Sequence, residues 1–198
     1  MKILNCDQGT PEWFEARLGK ATASNFSRII TAKTGKLSAQ VDDYIAEMIA
    51  EESGDAPPAW GGNEHTERGH ELEPVARHWY EFDHDVTVDQ VGMIVDDSGV
   101  IAASPDGLIG DDGGLEIKCP MGKTHVKYLI RGELPDEYKA QVHGNLLVSG
   151  REWWDFLSYH PKYKPLLLRV YADDWTQKLA AALDEFRDRL AKAKEIVL

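Results

Sequence analysis

Apolar positions recur along the chain with two different periods, and the change from one to the other marks out its elements. Helical spacing of three and four puts Val41, Ile45, Met48 and Ile49 on one side of residues 38–52. The same spacing gathers Leu72, Val75, Ala76, Trp79 and Tyr80 within residues 64–82, and Tyr138, Val142 and Leu146 within 136–148. A last helix, capped by Asp173, carries Leu179, Leu183, Phe186, Leu190 and Ala193. Shorter helices are predicted at 12–18, behind the Thr10-Pro11 start signal, from Thr22 or Ser24 through Ile30, and at 124–130. β-branched or alternating runs predict strands at 86–91, 92–95, 100–103, 115–119, 152–159 and 166–171. Pro74 leaves residues 64–82 two readings: a helix disturbed in its middle, or one that begins near Glu73 with Pro74 in its first turn. Residues 53–63, with a Pro-Pro and a Gly-Gly pair, read as a loop that serves either as a spacer or as a flap near a substrate.

Composition narrows the class. A chain of 198 residues suits a single domain over residues 1–198, burying about 70% of its unfolded surface. No apolar run approaches the roughly 18 residues that a membrane helix needs, and the start lacks the charged-then-apolar order of a signal peptide. Cytoplasmic residence, in a bacterium or a phage-infected host, is the expectation. Cys6 and Cys119 are too few for a disulfide framework or a four-cysteine cluster. The net charge of −12 argues against a protein that coats nucleic acid. It leaves room for a nuclease, whose carboxylates bind cations and whose basic groove is local.

The candidate chemistry centres on Ser104-Pro-Asp-Gly and the strand Leu115-Glu-Ile-Lys-Cys-Pro120. Glu116 and Lys118, two apart on a strand, share one face, while Ile117 points the other way. A hairpin through residues 110–114 brings Asp106 toward that face, and the Ile117 carbonyl is a further oxygen. Hard oxygen donors of this kind suit a divalent cation, and the lysine suits holding or deprotonating a water. The plainer account is a turn aspartate beside a cross-face ion pair. Glu73 is a candidate further ligand, in competition with Glu71, or else a solvated acid of a first turn. Arg17, with Ser24 at a helix start, reads either as a phosphate pocket or as a surface salt bridge beside an ordinary cap. Gln141 projects either toward a ligand or into a structural hydrogen bond. The seven histidines lack metal-site spacing and read as packing or surface residues, and Trp153, Trp154, Phe156 and Tyr159 read as packing rather than a base-stacking platform.

These residues, in this order, resemble a known family. Arg17-Leu-Gly-Lys-Ala-Thr-Ala-Ser24, Gly69-His-Glu-Leu-Glu73-Pro-Val-Ala-Arg77, Ser104-Pro-Asp106-Gly, Glu116-Ile-Lys118-Cys-Pro and Tyr138-Lys-Ala-Gln141-Val are similar to the PD-(D/E)XK nuclease core, in the branch of bacteriophage lambda exonuclease and the YqaJ-like viral recombinases. The resemblance implies an α/β fold with a restriction-endonuclease-like core, a central mixed β-sheet flanked by helices. It implies a Mg²⁺-dependent exonuclease acting 5′ to 3′ on linear double-stranded DNA, releasing 5′ mononucleotides and leaving 3′ overhangs for strand annealing. By position, Asp106, Glu116, the Ile117 carbonyl and Glu73 would form the metal shell, for two Mg²⁺ or substituting Mn²⁺. Lys118 would be the catalytic lysine, Gln141 would help position it, and Arg17 and Ser24 would hold the 5′ phosphate. A ring-shaped homotrimer and a single-strand annealing protein are the implied partners. His143 stands where relatives carry another glutamine. The competing functions are an endonuclease on the same core and a non-catalytic DNA-binding or assembly protein.

Overall fold

The computed structural model describes residues 1–55 and 64–197, so most of the loop expected at 53–63 lies outside the described residues. Two four-stranded mixed sheets carry the architecture. The first orders β1 (Lys2–Leu4), β3 (Met93–Val95), β4 (Ile101–Ala103) and β2 (Ala21–Thr22), with β2 and β4 parallel. The second orders β5 (Gly107–Ile109), β6 (Gly113–Lys118), β7 (Trp153–Ser158) and β8 (Leu166–Tyr171). Here β5 and β6 form an antiparallel hairpin, β6 and β7 run parallel, and β7 and β8 are antiparallel. Parallel neighbours need a long crossover. That crossover is α4 (Gly122–Arg131) followed by α5 (Asp136–Ser149).

The remaining helices are α1 (Pro11–Arg17), α2 (Val41–Glu52), α3 (Glu64–His84) and α6 (Asp174–Val197), with a 3₁₀ helix at Ala23–Arg28 where a longer helix was expected. Local chemistry explains their ends. Thr10 accepts the Trp13 amide and Pro11 occupies the first turn of α1, while Asp173 Oδ1 accepts the amides of Trp175 and Thr176 at 2.9 and 3.0 Å.

Strand β6 is buried on both faces. On one, Leu115 and Ile117 pack with Ala76 and Tyr80 of α3 and with Leu157. On the other, the large core of Phe26, Tyr44, Leu146, Trp154, Phe156 and Phe186 closes over the sheet, with α5 between sheet and α6. Gly113 and Gly114 admit this packing, because a Cβ on either would overlap the ring of Trp153 or Trp154. Among the described residues no helix is long and apolar enough to cross a membrane.

One expectation needs correction, and one choice left open by the sequence is decided. Residues 86–91 do not form a strand; only Asp89 bridges to Leu108, through two backbone hydrogen bonds of 2.8 Å. The Val88 side chain is instead committed to the smaller core, over Gly107. Of the two readings of residues 64–82 the continuous helix holds, since α3 spans Glu64–His84 with Pro74 inside it on the exposed side.

Candidate active site

The β5–β6 hairpin positions the first carboxylate. Asp106 directly precedes β5, and its Oδ2 accepts the Ile117 amide at 2.6 Å. The β5 pairing ends with Gly107 opposite Leu115, so Ile117 lies beyond the edge strand. Amide and carbonyl of one strand residue face the same edge, and those of its neighbour face the other. Lys118 turns its carbonyl to β7, accepting the Tyr159 amide at 2.8 Å. The Ile117 carbonyl therefore opens on the Asp106 side.

Alternation along β6 then sends Glu116 and Lys118 to the opposite face from the buried Ile117 side chain. Glu116 is only 1% exposed. Its Oε1 accepts from Lys118 Nζ at 2.5 Å and its Oε2 from Asn145 Nδ2 of α5 at 2.9 Å. Burial, and next the charge of Asp106, push the Glu116 carboxyl above the usual carboxylate range, against the pull of Lys118 and Asn145. Glu73, on α3, is ion-paired with Arg77 one turn on. Burial and Asp106 nonetheless raise its pKa to about 7. Desolvation works against the Lys118 ammonium, but Glu116 and Asp106 more than offset it, so the group is held above its ordinary value and stays protonated. Its Nζ also lies 5.3 Å from the centre of the Tyr138 ring.

Among the described residues no group of three His, Cys, Asp or Glu side chains is arranged to hold a metal ion. The reason is visible in the contacts: Asp106 is turned to a backbone amide and Glu116 to a lysine and an amide. The donor set nevertheless fits a hard divalent cation. It consists of oxygen atoms, and the charge of Asp106 helps raise the pKa of both Glu73 and Glu116, a repulsion that a bound dication would relieve.

A second cluster stands at the end of α1. Arg17 Nη1 donates to Ser104 Oγ at 3.3 Å and Nη2 to Thr22 Oγ1 at 3.0 Å, with the guanidinium 4.4 Å from the Trp13 ring centre. Thr22 Oγ1 is in turn 3.1 Å from Ser24 Oγ. Burial lowers the Arg17 pKa, yet a guanidinium remains charged. Both clusters open into one cleft of about 660 Å³, with Arg17, Ser24 and Ser104 on one part of its wall and Glu73, Asp106, Lys118 and Gln141 on another.

Of the side chains singled out from the sequence, Arg17, Ser24, Glu73, Asp106, Lys118 and Gln141 line this cleft and Glu116 is bonded to Lys118 beside it, whereas Glu71 is exposed on α3. His143 belongs elsewhere: its Nδ1 lies 2.8 Å from Thr176 Oγ1 and its ring packs on Trp175, between α5 and α6. Sequence reasoning missed Asn145 and Ser104. Asn145 stands four residues after Gln141, one helical turn along the same face, which is the signal that would have found it. Ser104 lies two residues before Asp106.

Comparison with known proteins gives a consistent picture. The YqaJ-like viral recombinase domain matches residues 12–152. The structure of an alkaline exonuclease (LHK-Exo) from Laribacter hongkongensis superposes with a TM-score of 0.77 at 33% identity, covering 94% of this chain and 97% of that one. LHK-Exo in complex with dAMP gives 0.77 at 34% identity, over 94% and 97% of the two chains. A phage-related exonuclease from Haemophilus somnus 129PT shares the fold, with a TM-score of 0.63 at 14% identity over 88% of this chain and 96% of its own. No curated protein matches the sequence.

Proposed function

The chain belongs to the YqaJ-like viral recombinase domain family, and from that premise we propose that it is a divalent-metal-dependent exonuclease that digests linear double-stranded DNA from its 5′ ends. Its mixed sheets flanked by helices are the PD-(D/E)XK restriction-endonuclease-like fold. The solved relative at 33–34% identity is named as an alkaline exonuclease, in one structure in complex with dAMP, which supports nuclease activity here. The observation that carries the finer reading is the shared cleft: Arg17, Ser24 and Ser104 line it together with Asp106, Lys118 and Glu73.

In this reading Arg17 and the two serine hydroxyls hold the terminal 5′ phosphate, and the scissile phosphate lies by Lys118. Register is measured from the end rather than from base identity, so digestion is insensitive to sequence. Asp106, Glu116, Glu73 and the Ile117 carbonyl would hold Mg²⁺, two ions per site, or Mn²⁺ in its place. When bound, such ions supply charge neutralisation at the phosphate and a water of lowered pKa. The protein's own part lies in Lys118 and the groups around it. Glu116 Oε1 accepts from the Lys118 ammonium, which would hold the attacking water and offset phosphate charge. Asn145 holds the other Glu116 oxygen in place. Gln141, on the cleft wall, helps position the lysine and the water.

The products would be 5′ mononucleotides and a 3′ single-stranded overhang for a strand-annealing protein. A ring-shaped homotrimer around the duplex would make digestion processive. A time course on end-labelled linear duplex, with 5′-phosphate or 5′-hydroxyl ends and with or without Mg²⁺, tests direction, end recognition and metal dependence together. Mononucleotides released only with Mg²⁺, and faster from phosphorylated ends, are the expected result. Cutting of covalently closed circles at a similar rate would indicate an endonuclease instead.

A further inference from the structure

The cleft has two ends with the reacting groups between them. Beyond Asp106 and Lys118, away from Arg17, a second cavity of about 360 Å³ continues past Pro120 and Met121 to Thr124, in the first turn of α4. The outer side of that helix is positively charged. Lys123, Lys127 and Arg131 are exposed and recur every fourth residue along α4, so they share one side of the helix and span about 12 Å.

The turn between β7 and β8 adds exposed Lys162 and Lys164. It is fastened to α4 by His125, whose Nε2 lies 3.0 Å from the Lys164 carbonyl oxygen and whose ring stacks 6.0 Å from that of Tyr163. Residues 118–132 and 159–165 contain no carboxylate at all, in a chain with 34 acidic residues against 22 basic ones. Elsewhere acids pair with several of the arginines, as Glu47 does with Arg28, Asp155 with Arg169 and Glu185 with Arg189. None of the five cations of this strip is ion-paired among the described residues. Beyond the end of α4 come the exposed acids Glu133, Asp136 and Glu137, of which Glu137 accepts from the Tyr128 hydroxyl.

We infer that this strip is the track for the backbone of the strand being digested. With the terminal phosphate at Arg17 and the scissile one at Lys118, the next phosphates of the same strand pass through the second cavity and along Lys123, Lys127 and Arg131, with Lys162 and Lys164 beside them. Measured along the duplex axis one strand carries a phosphate about every 3.4 Å, so a helix lying along that axis spans three or four of them. The inference rests on the exonuclease reading of the cleft. It accounts for DNA binding by an acidic protein, because the attraction is confined to one carboxylate-free strip.

The test is the salt dependence of DNA binding. Affinity for a 5′-phosphorylated duplex is measured by fluorescence anisotropy in Mg²⁺, in a Lys118→Ala background that prevents digestion, over a range of salt. Each lost phosphate contact lowers the slope of log affinity against log salt by about 0.9, so Lys127→Ala with Arg131→Ala lowers it by about 2 and weakens binding about tenfold. Lys178→Ala with Lys192→Ala, an equal charge change on α6, leaves the slope unchanged. An unchanged slope in the α4 pair, an equal loss in both pairs, or no measurable binding overturns the track. In the otherwise native protein the α4 pair slows digestion of long duplex but not of a 5′-phosphorylated dinucleotide, which is too short to reach α4. Failure of the native protein to release mononucleotides from any duplex would overturn the exonuclease reading, while the slopes would still decide whether the strip binds the backbone. Matching thermal unfolding midpoints show that the variants are folded.

Discussion

Asn145 Nδ2 donates to Glu116 Oε2 across 2.9 Å, and each of the two side chains is only 1% exposed. Glu116 has its other oxygen on Lys118, so Asn145 is the contact that remains when the lysine or a cation takes Oε1. Such outer partners of a metal ligand fix its orientation. Asn145→Ala is therefore expected to weaken Mn²⁺ binding by about 10–100-fold, measured by titration calorimetry without DNA, and to lower kcat more than it raises KM. Asn145→Gln is expected to recover part of the loss. Unaltered Mn²⁺ affinity in the alanine variant would reduce Asn145 to a packing residue.

Lys118→Ala separates chemistry from binding. Removing the ammonium is expected to lower single-turnover hydrolysis by about 10²–10⁴-fold. It also frees Glu116 Oε1, so Mn²⁺ affinity is expected to stay the same or rise. A variant that turned over at the native rate would remove the lysine from the mechanism.

The carboxylates predict how metal and pH interact. Glu73 is raised to about 7 by burial and by Asp106, and Glu116 is raised by the same two causes. Both folded values lie above those of the unfolded chain, so the metal-free fold binds protons more readily than the unfolded state does. Their contribution to stability is full below the ordinary carboxylate pKa of about 4.3, and it is lost as pH rises through about 7. A bound cation takes over the proton's task. Mg²⁺ is therefore expected to raise the thermal midpoint more at about pH 8 than at about pH 6. Equal shifts at both values would show that these carboxyls do not bind the ion.

Arg17→Ala tests the end-binding cluster. A charge-assisted pair to phosphate contributes about 1.5–3 kcal/mol. Loss of the guanidinium is therefore expected to cut kcat/KM on 5′-phosphorylated duplex by about 10–100-fold while leaving 5′-hydroxyl duplex nearly unaffected, so the ratio between the two falls toward one. Arg17→Lys keeps the charge but not the fork that also reaches Ser104 and Thr22, and it is expected to recover little.

The β5–β6 hairpin was legible because its determinants are local. Glycines set its turn, and alternation along one strand sorts Glu116 and Lys118 from Ile117. Asn145 was not legible, because α5 is buried on most sides and its pattern of apolar positions does not separate a face toward β6 from a face toward α6. His143, two residues earlier, faces α6 and has no part in the cleft. The run at 86–91 has strand-like residues but finds only a single bridge at Asp89, since pairing depends on a partner elsewhere in the chain. The joining of Arg17 to Lys118 in one cleft depends on how the two sheets meet, which no local pattern specifies.

The packing beneath the site is testable at Gly114. It pairs in register with Trp154, which is fully buried, and a Cβ at Gly114 would overlap the indole ring. Gly114 shares its face with Glu116, so any shift of β6 that relieves the overlap also moves the carboxylate relative to Asn145. Gly114→Ala is expected to cost about 1–3 kcal/mol of stability and to impair Mn²⁺ binding as well. Gly132→Ala is the comparison: it strains a left-handed φ of 65° after α4, but its Cβ meets nothing within 4 Å. It is expected to cost about 1 kcal/mol and to leave metal affinity intact. The two variants, compared by urea unfolding and Mn²⁺ titration, divide general destabilisation from displacement of the site. If Gly114→Ala bound Mn²⁺ like the native protein, the Trp154 contact would not be what sets the position of Glu116.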